Sequence, residues 1–294
     1  MQAIQPYKLI SNYKFKTEQS QSKDNVLPRF SFVQAQDVFV KSNDVNFTSR
    51  CPKIPQISDF KEYEEVIKRV CNSKTIYGEK FWSIDCDFNN YSGIKPEYIG
   101  LLPYCGGADV SYYINKFLRN QMNFEKFSEQ NIASSYTPTR ESIVDIISAL
   151  DYSLSRLDEE FGKYSGVVFR KGVFKPKSKQ FNSSTLSSAI AVDFSGFSPK
   201  SGFSVIRTKN GHKICDFQAA MNSKYANTEK EILLPRTAKY IRLYPYEYDE
   251  EILNAQDKLA RDIRFAILDC CSSKEIKQYT DEKIKNLIKV YEEL

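Results

Sequence analysis

Beyond Thr137-Pro138 apolar side chains recur every three or four positions. Ile143, Ile146, Ile147, Leu150, Leu154 and Leu157 fall on one stripe, which predicts a long amphipathic helix opened by Thr137-Pro138. A shorter stripe of Phe60, Tyr63, Val66, Ile67 and Val70 predicts a helix over 59–71, with Asp59 and Glu62 spaced for a capping box. Residues 97–102 and 110–120 read as two short helices around the turn Cys105-Gly106-Gly107. From 166 to 248 the pattern changes to short β-branched and aromatic runs separated by Gly, Pro, Ser and Asn. Strands are expected at 167–170, 203–207, 213–217, 229–234 and 239–244, interrupted by a small helix at 187–194. The tail returns to helical spacing, first through Ile252, Leu259, Ile263, Ala266 and Ile267, then through Ile284, Leu287, Ile288 and Tyr291. Helices followed by a strand-rich half indicate an α+β chain rather than alternating βαβ units. Residues 1–57 read as a polar, partly ordered leader.

Composition narrows the function classes. The 294 residues are 41% hydrophobic and 27% charged, which is globular and sufficient for a sizeable core. A net charge of +5, from 42 basic and 37 acidic residues spread along the chain, is no nucleic-acid footprint. No segment approaches the ~20 apolar residues of a membrane span. Residues 1–16 contain no apolar h-region, so any secretion is expected by a non-Sec route. Seven cysteines without a CxxC, and a single histidine, speak against a disulfide framework and against a Cys/His zinc site. No metal is expected, and the thiols read as reduced. His212, in Asn210-Gly211-His212, reads as an exposed turn residue. The chain has neither GxGxxG nor GxxxxGK[ST], the usual glycine-rich routes to a nucleotide phosphate.

Three short features in the strand-rich half carry candidate chemistry. Arg170 ends an apolar run and is followed by Lys171 and Gly172. An extended stretch, Phe181-Asn182-Ser183-Ser184-Thr185, passes into the small helix. Glu229-Lys230-Glu231 precedes Ile232-Leu233-Leu234. On a strand, residues two apart share a face, so Glu229 and Glu231 are expected side by side. Paired carboxylates suit cleavage of a glycosidic bond, where one stabilises the oxocarbenium-like sugar and the other handles the nucleophile. A guanidinium fork suits a pyrophosphate. Singly, each feature is also what an ion-paired arginine, a turn-prone hydroxyl run or a solvated strand edge looks like.

Taken in order, arginine on a strand, F-x-S-[ST]-[ST], then E-x-E before an apolar strand resembles the arginine-specific R-S-E signature of bacterial mono-ADP-ribosyltransferase toxins and effectors. Upstream, Tyr104 and then Tyr112-Tyr113-Ile114-Asn115-Lys116-Phe117-Leu118-Arg119 resemble that family's helical segment. The resemblance covers roughly residues 75–247. It implies an ADP-ribosyltransferase-like split antiparallel β-sandwich, with a helical part at 58–160, the sandwich at 161–247 and a C-terminal helical extension at 248–294. It implies NAD as substrate, and transfer of ADP-ribose to an arginine of a target protein.

By the same resemblance, Arg170 would hold the NAD phosphates and the backbone of Lys171 and Gly172 would meet the nicotinamide amide. Ser183 would hydrogen-bond Glu231, the indispensable carboxylate, while Glu229 would recruit the acceptor arginine. Phe194 would pack on the nicotinamide, Asn115 would lie near the adenosine end, and Tyr225, in the loop 222–228, would read the target. The family's habits imply a monomeric secreted effector acting on a host protein in the host cytoplasm. Two departures stand out. Lys171 separates Arg170 from Gly172, and only 13 positions separate Arg170 from Ser183. Lys200, in the loop 195–202, would replace a basic arginine found in some toxins. A glycohydrolase giving ADP-ribose to water, or a catalytically inactive binding protein on the same fold, remain alternatives.

Overall fold

A computed structural model describes residues 53–79, 81, 94–105, 108–122, 124, 137–172, 174–176, 179–194, 196–198, 202–220 and 229–294. Tyr225, Lys200 and most of the expected leader lie outside these residues. Helix α1 (Phe60–Cys71) starts on Asp59, whose carboxylate accepts from the Glu62 N–H. The box closes one residue early, because Glu62 reaches back to the N–H and hydroxyl of Ser58. A 3₁₀ turn (Pro96–Leu101), α2 (Leu102–Cys105) and α3 (Ala108–Leu118) follow. Helix α4 (Arg140–Phe161), capped by the Thr139 hydroxyl, buries the whole stripe from Ile143 to Leu157 at 0–2% exposure. Gly100 lets the 3₁₀ turn press onto α4, since a Cβ there would meet the Ala149 carbonyl oxygen at 2.5 Å.

Six strands make one sheet: β1 (Tyr164–Lys171), β2 (Asn182–Thr185), β3 (Phe203–Gly211), β4 (Glu231–Leu234), β5 (Tyr240–Leu243) and β6 (Ile288–Glu293). Their order is β4-β2-β1-β3-β6-β5, antiparallel throughout except for the parallel pair β3–β6. Between them lie α5 (Ser188–Asp193), α6 (Ile214–Ala220), α7 (Glu250–Cys270), α8 (Ser273–Ile276) and α9 (Asp281–Asn286). One core joins α1 to α4 with Phe181, Ile214, Phe217 and Leu233. A second joins the tail helices to Phe169, Ala191, Phe203 and Val205. No helix among the described residues is long and apolar enough to cross a membrane.

Four sequence expectations change. Of residues 213–217, read as a strand, 214–217 belong to α6; Ile214 and Phe217, three apart, bury one helical face in the first core, and so short an apolar run is ambiguous by periodicity alone. The tail from Ile288 through Tyr291, read as helix, is β6, because Ile288, Val290 and Tyr291 find a ladder beside β3. His212 is not an exposed turn residue: its side chain is 12% exposed and its Nδ1 lies 2.9 Å from Asp158. Finally, Cys71 is disulfide-bonded, while Cys105, Cys215, Cys270 and Cys271 are free. The reduced reading therefore fails at Cys71.

Glu293 locks β6 in place. It is 3% exposed, and its carboxylate accepts from the Thr208 hydroxyl (2.6 Å), the Lys209 and Asn210 N–H groups (2.6 and 3.1 Å) and the Asn210 amide (2.7 Å). Burial pushes its pKa up, but these hydrogen bonds together outweigh burial and hold it below the usual range. A depressed carboxylate pKa adds stability above the unfolded value of about 4.3 that is lost as pH falls. Glu293→Ala should cost about 1.5–3 kcal/mol at pH 7, read from the urea midpoint, because it strands buried donors. The penalty should shrink as pH falls below about 4. An unchanged midpoint at pH 7 would show the clasp to be idle.

Candidate active site

β1 and β2 are in register at Phe169↔Thr185, and β2 and β4 run in register from Asn182↔Leu234 to Thr185↔Glu231. Ser183 is thus the diagonal neighbour of Glu231, and cross-strand pairing puts both on one face of the sheet. Beyond Phe169 the guanidinium of Arg170 bridges from β1 to β2, donating to the Ser183 carbonyl oxygen. A cleft of about 440 Å³ opens here, within the size range of small-molecule sites. Tyr104 and Phe181 from the first core and Phe169 and Ala191 from the second line it, so it lies between the two cores.

Arg170, Lys171, Ser183, Phe194, Asn115, Glu229 and Glu231 all line this cleft. Gly172 does not. Its N–H donates to the Gly202 carbonyl (3.0 Å) and its carbonyl accepts from the Ser204 hydroxyl (3.3 Å). At φ +92° it turns the chain at the end of β1, a conformation suited to glycine. Its backbone is therefore committed to the protein. Asn115 is half committed as well: its Oδ1 accepts from the Phe181 N–H at 3.0 Å, which ties α3 to the entry of β2.

The two glutamates share the cleft for a different reason from the one expected. β4 begins at Glu231, so Glu229 lies off the strand, and strict alternation does not relate them. Lys230 adopts φ +47°, a left-handed conformation uncommon for a side-chain-bearing residue, and this turn brings Glu229 back beside Glu231. Thr185 and Gln218 hold the turn. The Thr185 hydroxyl donates to the Glu229 carbonyl oxygen (2.7 Å), and the Gln218 amide lies 3.4 Å from the Glu229 carboxylate. The Lys230 carbonyl accepts from the Leu186 N–H at 3.1 Å. Thr185 belongs to the F-x-S-[ST]-[ST] run but has no role assigned from the sequence, and Gln218 stands out in no sequence pattern. Thr185 sits two residues from Ser183 and so had a detectable signal; Gln218, one residue beyond the run read as a strand, had none.

Burial dominates the electrostatics. It raises the Glu231 pKa to about 7 against a lowering hydrogen bond from the Ser183 hydroxyl, with Glu229 adding to the rise and Arg170 opposing it. Burial also lowers the pKa of Arg170, opposed by the nearby Tyr104 and Glu231. Among the described residues no carboxylate comes within ion-pair distance of Arg170, and its buried Nε has no hydrogen-bond partner. A desolvated guanidinium with an unused donor fits an anionic ligand. Tyr104, its pKa also raised by burial, places its hydroxyl 3.5 Å from the Ser183 hydroxyl. No group of three or more potential metal-binding side chains occurs among the described residues. A larger cavity of about 910 Å³ runs along α4 and the 235–239 turn. Its arginine at 236 and histidine at 212 are already paired, with Asp151 at 2.6 Å and Asp158 at 2.9 Å.

No protein-family model and no curated protein matches the chain. Several solved structures are similar to it at low identity. The eukaryotic mono-ADP-ribosyltransferase ART2.2, crystallised with NAD, is 18% identical over 62% of this chain and 70% of that one, with a TM-score of 0.37. The ADP-ribosyltransferase HopU1 of Pseudomonas syringae pv. Tomato DC3000 is 14% identical over 81% and 99%, with a TM-score of 0.44. The type III effector XopAI from Xanthomonas axonopodis pv. citri is 11% identical over 81% and 89%, with a TM-score of 0.36. Likenesses this low leave the chemistry to rest on the cleft.

Proposed function

We propose that the chain binds NAD in this cleft and transfers its ADP-ribose to an arginine of a target protein, releasing nicotinamide. One observation carries the reading. Arg170, Ser183, Glu229 and Glu231, drawn from three separate chain segments, line one cleft in which the arginine has a spare buried donor and the acids have no cation paired to them among the described residues.

In this reading the Arg170 guanidinium takes the pyrophosphate, to which a planar fork is suited. Ser183 fixes the Glu231 carboxylate, which accepts from a hydroxyl of the nicotinamide ribose and stabilises the cationic sugar as the glycosidic bond breaks. Nicotinamide leaves with the electron pair of that bond. A guanidino nitrogen of the acceptor then bonds to the anomeric carbon and gives its proton to Glu229, whose carboxylate first orients a group with a pKa above about 12. Nothing in this chemistry requires a metal. The same reading has the chain act as a monomeric effector on a host protein in the host cytoplasm, exported by a non-Sec route, as the habits of the family that its motifs resemble imply.

Glu229→Gln tests the acceptor. With labelled NAD and agmatine as a small guanidine, the wild type should form an ADP-ribosyl guanidine adduct detectable by mass spectrometry. The variant should lose adduct formation by about 10²-fold or more while still releasing nicotinamide to water. Nicotinamide release by the wild type with no adduct, in agmatine or in host lysate, would replace the transferase with a glycohydrolase.

A further inference from the structure

Lys171, which separates Arg170 from Gly172, does not direct its ammonium along the cleft floor. It donates instead to the carbonyl oxygens of Phe194, at 2.9 Å, and of Gly196. Those carbonyls belong to the tight turn that ends α5. In that turn the Phe194 N–H returns to the Ile190 carbonyl (2.9 Å), the Gly196 N–H to that of Asp193 (3.0 Å), and Gly196 sits at φ +78°. On its other side α5 is anchored by Ala191 and Val192 in the second core. The turn is therefore held between a packed helix and the end of β1. Its side chain at 194 is a phenyl ring that lines the cleft while staying 59% exposed. A large exposed ring at the mouth of a polar cleft offers a flat apolar face to a ligand.

We propose that Lys171 is a positioning residue, tying Phe194 and Gly196 at the end of α5 to the end of β1 so that the Phe194 ring is preset to stack on the aromatic end of a dinucleotide whose phosphates meet Arg170. This rests on the NAD reading above and adds to it a residue acting through another. The ammonium is committed to the two carbonyls. It removes the freedom that the turn and its ring would otherwise lose on binding, so its effect belongs in affinity rather than in the bond-breaking step.

The test compares wild type with Lys171→Met, Lys171→Arg, Phe194→Ala and the Lys171→Met/Phe194→Ala double variant in a nicotinamide-release assay. Lys171→Met and Phe194→Ala should each raise KM for NAD about tenfold while kcat stays within about twofold. The double variant should be no worse than Phe194→Ala alone, since the lysine acts only through the ring. Lys171→Arg, whose longer fork also reaches the two carbonyls, should recover most of the loss. An unchanged KM in Lys171→Met, or single losses that multiply in the double variant, would overturn the proposal while leaving the NAD reading intact. A wild type that neither binds NAD by calorimetry nor releases nicotinamide would remove the NAD reading and the role of Lys171 together.

Discussion

Glu231→Gln should abolish most nicotinamide release, by about 10²–10⁴-fold in kcat, with the fold retained. Glutamine keeps the volume of the side chain and can still hydrogen-bond the Ser183 hydroxyl, so what disappears is the negative charge. In a buried cleft that charge acts at low effective dielectric, which makes its loss expensive at the moment the sugar becomes cationic. The pH dependence follows from the same burial. With its pKa raised to about 7, Glu231 is mostly protonated and inactive under mildly acidic conditions. For the wild type, kcat/KM for NAD should therefore rise with pH through an inflection near 7. Stability runs the other way. A carboxyl whose folded pKa exceeds its unfolded value of about 4.3 favours the folded state fully below that value, and the contribution is lost as pH rises through the folded pKa. Glu231→Gln should thus flatten the decline in stability between pH 5 and pH 8, measured by urea titration at each end. A variant releasing nicotinamide at the wild-type rate would take the central role away from Glu231.

Arg170→Met should raise the dissociation constant for NAD by about 10²-fold or more, measured by calorimetry, and Arg170→Lys should recover little of it. A lysine retains the charge but not the fork, and at this site geometry matters twice. The guanidinium already bridges from β1 to the Ser183 carbonyl, and its Nε is the donor left without a partner. The substitution should also be felt at Glu231. Arg170 lowers the pKa of that carboxyl, so without it the inflection in kcat/KM should move above 7. The two effects have separate readouts, one in ligand affinity and one in a pH profile. Unchanged NAD affinity in Arg170→Met would exclude the pyrophosphate role. A shift without an affinity change would leave Arg170 acting only on its acidic neighbour.

Much of the helical half was legible because its physics is local. The stripe from Ile143 to Leu157 repeats at helical spacing, and nothing elsewhere in the chain is needed to turn it into α4. The end of the chain was misread because Ile288, Val290 and Tyr291 fit two periods, and only the free edge of β3 chooses between them. Residues 213–217 failed in the opposite direction, since Ile214 and Phe217 look β-like until the first core supplies a surface three residues wide. The disulfide at Cys71 escaped for a related reason: spacing along a chain does not report which thiols meet in space.

By itself the amino-acid sequence determined which chemical groups are available and in what order: a guanidinium, a hydroxyl, two acids and a phenyl ring, on segments whose local patterns bring most of them to strand ends. Tertiary structure alone decided how they meet. It set the left-handed turn at Lys230 that brings Glu229 alongside Glu231, the burial that raises one carboxyl to about 7, and the direction taken by the Lys171 ammonium. The physical reason is range. Helical and strand periodicity arise from neighbours a few residues away, whereas desolvation and the pairing of distant groups depend on which surfaces the folded chain presses together.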